Sequence, residues 1–138
     1  MHAQFRTLHL WIGILSVIAF LATGQYMDKV HAHLVGMEDG PRMLFRSTHL
    51  YILFTGLINL ALGLHRSPYV HSAARNLQAL GSVLLLLVPI LLTIGFFSEP
   101  FLTDFARPFT RPATYLAFGG GIFLLAAHLL NQRHGPSV

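Results

Sequence analysis

Nine histidines stand in a chain of 138 residues that has no cysteine and only five acids. Three of them, His9, His49 and His128, fall inside long apolar runs. An imidazole is costly there unless it has a partner or a ligand, and a neutral one ligates haem iron, copper or zinc. The absence of cysteine removes disulfides, iron–sulfur clusters, thiolate metal sites, cysteine nucleophiles and covalently attached c-type haem. All five acids lie outside the apolar runs, and no serine, histidine and acid share one, so nothing supports hydrolytic or nucleophilic catalysis. If the protein is redox active, it is an electron-transfer protein or an oxidoreductase subunit; whether it is an enzyme stays open at this point.

The elements that must position these histidines follow from composition. Hydrophobic residues make up 54% of the chain and charged ones 10%, with a mean hydropathy of +0.59. A soluble domain carries about a quarter charged residues. Four continuous apolar runs, residues 8–27, 44–64, 77–97 and 113–130, are long enough to cross a bilayer as helices, and they do not alternate as barrel strands would. The expected fold is all-α: a single-domain integral membrane four-helix bundle over residues 1–138, antiparallel with up-down topology. Pro89 should kink the third helix. The first run is a true helix rather than a leader, because it carries His9 and lacks a small-residue cleavage site. The net charge of +4 does not mark a nucleic-acid binder, since the nine Lys and Arg stand singly at the ends of apolar runs. Four spans place both termini with Arg6, Arg66, Arg75 and Arg133 on one side, away from every acid. That charge balance places the termini in the cytoplasm. Asp39-Gly40-Pro41 reads as a turn with Asp39 as helix cap and Pro41 in the first turn. Phe101, Phe105 and Phe109, spaced by four, predict a short interfacial helix within residues 98–112.

The first and second helices share an R-[ST]-x-H-L-[WY]-I pattern, from Arg6 to Ile12 and from Arg46 to Ile52, at an interval of 40 residues. This is what an inverted repeat looks like. Small and polar residues mark faces turned toward other helices. On the first helix that stripe is His9, Gly13, Ser16, Phe20, Thr23 and Gly24; on the second it is His49, Gly56, Asn59 and Gly63. On the fourth, His128 lies above Leu125, Gly121 and Phe118. Depth then pairs His9 with His128 as axial ligands of haem b, with Gly13 and Gly121 leaving room and Arg6 holding a propionate. His65 competes with that pair, nearer the interface. A second site would use His49 and Arg46 with His31 and His33 of the adjoining loop, which makes one haem or two conceivable. The competing reading is a non-redox membrane binding or assembly protein, taking copper or zinc through the His- and Met-containing region 27–49. Asn59 reads as helix–helix glue. The expected partners are the lipid bilayer and a second copy or a membrane redox complex, with quinone a further candidate and no nucleic acid.

The strings TGQYM (23–27), HLVGMEDGPRMLFRSTHLYILF (33–54) and RPFTRP (107–112) resemble a group of small bacterial four-helix inner-membrane proteins to which no activity attaches. That resemblance implies a bacterial inner-membrane location, multi-pass. The layout is also similar to membrane b-type cytochromes and, less closely, to the small haem-bearing protoporphyrinogen oxidase of bacteria, through the four-helix plan and the histidines near helix ends.

Overall fold

The computed structural model describes residues 2–65, 72–102 and 106–133. Arg66, His71, Asp104, Phe105 and His134, and the side chains of His2 and Arg133, lie outside the described residues. Four α-helices follow one another: α1 (His2–Lys29), α2 (Asp39–Leu64), α3 (Ser72–Ser98) and α4 (Thr110–Arg133). Among the described residues there is no strand. The helices have 28, 26, 27 and 24 residues. At about 1.5 Å per residue each exceeds the ~30 Å hydrocarbon core, and each is apolar enough to cross it.

α1 packs mainly on α2 and α4 mainly on α3, while α2 and α3 join the two pairs. Each pair interlocks through glycine and leucine. A Cβ placed on Gly13 would meet Leu60 Cγ at 2.6 Å, and one on Gly63 would meet Leu10 Cγ at 2.6 Å. Gly120 stands against Leu85 and the Gly81 carbonyl, and Gly81 against Leu124 and the Gly120 carbonyl. Close backbone approach of this kind is how helices attract one another where the surroundings give no hydrophobic drive. The contacts Leu10–Gly63, Gly13–Leu60 and Ser16–Gly56 run in opposite residue order along α1 and α2.

The distribution of side chains is inverted relative to a water-soluble bundle. Trp11, Ile18, Leu21, Leu57, Phe118 and Ile122 are exposed, whereas His9, Thr23, Thr48, Asn59 and Glu99 are buried. The apolar core, built on Phe45, Ile52, Val88, Leu92 and Phe96, lies toward the end of the bundle that carries the α1–α2 and α3–α4 connections.

Two local expectations need correction. Asp39 does not cap α2; it is already helical and pairs with Arg42 one turn on, while Glu38 precedes the helix without a capping bond. Pro41 does sit in the first turn. Among its described residues the segment after α3 forms only a short 3-10 turn, Glu99–Phe101, and Phe101 turns back onto Phe45 and His31. α3 continues through Pro89 as one helix.

Candidate functional site

Pro89 begins the construction of the first histidine site. Proline has no N–H, so the carbonyl four residues earlier, that of Leu85, loses its helical partner. Asn59 of α2 donates to the Leu85 carbonyl at 3.2 Å and to its own Thr55 carbonyl at 2.9 Å. With both amide protons committed, the Asn59 Oδ1 can only accept. His9 of α1 therefore donates from Nδ1, at 2.6 Å. One buried chain of hydrogen bonds thus ties α3, α2 and α1. The neutral imidazole carries its lone pair on Nε2, which is buried and has no partner among the described residues. Because Asn59 serves a carbonyl that Pro89 orphans, the two residues should be coupled. In a double-mutant cycle, Asn59→Leu costs about 1 kcal/mol less in a Pro89→Ala background than in the wild type. Unfolding in mixed micelles measures this, and simple additivity would contradict it.

The second copy of the repeat builds the same chemistry from the opposite helix. The Thr23 hydroxyl of α1 donates to its own Phe20 carbonyl at 3.0 Å. It has one proton, so it accepts from His49 Nδ1 at 2.8 Å. His49 again carries its lone pair on Nε2. Phe20 stacks on the imidazole with centroids 4.1 Å apart. Gly24 faces its Cε1–Nε2 edge: a Cβ there would lie 3.3 Å from Cε1 and 3.8 Å from Nε2. His49 is half-buried, and Arg46, one turn toward the helix start, is exposed.

A metal-ligating histidine characteristically donates its second ring N–H to a protein oxygen, which fixes the tautomer and raises ligand basicity. Both repeat histidines show that state. They differ in access: His9 is 3% exposed with Nε2 enclosed, whereas His49 lies beside a glycine at the bundle flank.

The structure does not bring His9 and His128 together. The stripe His128, Leu125, Gly121 and Phe118 is exposed, and nothing lies near a Cβ built on Gly121. The buried residues of α4 are Thr110, Ala113, Gly120 and Ala127. Three consecutive glycines made the choice of face ambiguous, and one residue turns a helix by about 100°. His128 meets Gln132 at 2.9 Å. Gly13 leaves no room for a macrocycle, since Leu60 fills its face. Arg6 is exposed above the enclosed His9, and His65 is exposed just beyond α2.

The loop histidines also diverge. Ala32, His33 and Leu34 all take positive φ, between 44° and 63°, which costs L-residues about 1–2 kcal/mol each. Burial of Leu34 in the core holds this left-handed turn. It directs His31 among Tyr26, Phe45 and Phe101, and His33 outward to Asp28 at 2.6 Å. Among the described residues no three His, Asp or Glu side chains gather to share a metal ion.

Glu99 carried no expectation beyond loop charge, yet it is wholly buried. Oε1 accepts from the amides of Phe109 and Thr110 at 2.8 and 2.7 Å, and Oε2 from the Thr110 hydroxyl at 2.5 Å. The carboxylate closes the start of α4, where free N–H groups and the helix dipole favour an anion.

No protein-family model, curated protein or solved structure matches the chain.

Proposed function

We propose that the chain is a multi-pass protein of the bacterial inner membrane, an antiparallel four-helix bundle with cytoplasmic termini. In this reading it holds haem b at His49 and serves as an electron carrier or as the haem-bearing subunit of a redox complex. The apolar exterior, and the burial of polar His9, Thr23, Thr48 and Asn59 between helices, support membrane insertion. The observation that carries the haem reading is His49 itself: its Nδ1 is held by Thr23, and the residue of α1 beside its Nε2 is Gly24, which has no side chain. Bound haem supplies one-electron exchange at iron. The chain's part is to hold the ring between Phe20 and Thr23, and to offer Arg46 to a propionate. His128 is exposed on α4, so a second imidazole would have to come from another copy or subunit, which gives oligomerisation a functional reason.

A second reading, a non-redox membrane assembly protein, is favoured by the His9–Asn59–Leu85 chain, which satisfies a proline-orphaned carbonyl without any ligand. Haemin titration of the purified protein separates the two. The haem reading predicts a Soret rise that saturates at one haem per chain. Only weak, unsaturated uptake from a folded sample would favour assembly.

A further inference from the structure

α2 and α4 both lean on α3 without closing on each other, which leaves a groove of about 420 Å³ between them. Its walls are Tyr51, Phe54 and Phe118, and its floor is Val88, Leu92 and Ala117. Of the three hydroxyls on its lining, those of Thr55 and Thr114 donate to their own helices, at the Tyr51 carbonyl (2.8 Å) and the Thr110 carbonyl (2.9 Å), and that of Tyr51 is the tip of an otherwise apolar ring. Along its length the groove is therefore suited to hydrocarbon rather than to a polar head. One end differs. Arg111, in the first turn of α4 and three residues before Thr114 on the same side of the helix, is exposed, and among the described residues it forms no ion pair.

We infer that this groove is a binding site for one anionic phospholipid, with an acyl chain along the α2–α3–α4 groove and the phosphate on Arg111. A cation at the mouth of an apolar slot complements an acyl chain joined to an anionic head, whereas a neutral quinone head would gain nothing from the charge. The inference rests on the membrane-insertion part of the proposed function and is independent of haem.

The test uses the full chain, delipidated in mild detergent and then given phosphatidylglycerol or phosphatidylcholine, with retained lipid counted by native mass spectrometry. One cation near the membrane surface predicts about fivefold preference for phosphatidylglycerol. Arg111→Gln should bring that ratio close to one while total retention persists. Ala117→Phe, which fills the floor, should reduce retention of both lipids with helicity unchanged. Equal retention of the two lipids by the wild type would overturn the inference, even if Ala117→Phe failed to fold. So would displacement of phosphatidylglycerol by an equimolar isoprenoid quinone. Extraction of the expressed chain into the soluble fraction by alkaline carbonate would instead refute membrane insertion, whatever the lipid ratio.

Discussion

Replacing Glu99 by alanine lowers the stability of the bundle by about 3–5 kcal/mol, the largest loss expected from any single side chain. The size follows from what is left behind. The amides of Phe109 and Thr110 and the Thr110 hydroxyl all point at a carboxylate that has no exposed surface. Without it, three donors at the start of α4 are left without their acceptor beside Gly95. The bonds also fasten the α3–α4 connection to the end of α3, so their loss loosens the seating of α4. Glu99→Gln keeps an acceptor for the amides but loses the charge that the helix start favours, and should cost about 1–2 kcal/mol. Thermal unfolding of the purified variants, followed by circular dichroism, should rank wild type above Glu99→Gln above Glu99→Ala. An unchanged midpoint for Glu99→Ala would show that the buried carboxylate is not the clasp described here.

The second large effect concerns the cofactor. His49→Ala should abolish haem binding while leaving the bundle folded, because His49 is half-buried and loss of its bond to Thr23 leaves Thr23 still bonded to Phe20. His9→Leu should behave in the opposite way. It strands Asn59 Oδ1 inside the bundle and destabilises it by about 1–2 kcal/mol, yet it retains the chromophore. The pair of variants therefore separates a ligand from a structural histidine. Loss of the haem band in His9→Leu but not in His49→Ala would reverse the assignment.

The inward faces of α1 and α2 were legible because their small and polar residues form one stripe each, and the structure buries His9, Gly13, Ser16, Thr23, Gly56, Asn59 and Gly63. α4 was misread for a physical reason: Gly119, Gly120 and Gly121 span almost the whole circumference of the helix, so small size could not say which of them meets α3. His31 and His33 stand two apart and read as a chelating pair. The run of positive φ from Ala32 to Leu34, which no glycine announces, turns them apart. The Asn59–Leu85 bond had a visible signal in Pro89, since a proline inside a helix frees the carbonyl four residues back. Polar Asn59 in an apolar run was the natural donor, although only the structure brings the two together. Glu99 had no comparable signal: its partners lie 10 and 11 residues away across a connection whose path the sequence does not specify.

The most direct measurement is a dithionite-reduced minus oxidised visible spectrum of the protein, purified in mild detergent after expression with haem supplied. The haem reading predicts sharp α and Soret bands of a b-type haem at close to one haem per chain, absent from His49→Ala. A flat difference spectrum from folded wild-type protein would contradict it and leave the Asn59–His9 and Thr23–His49 bonds as glue between membrane helices.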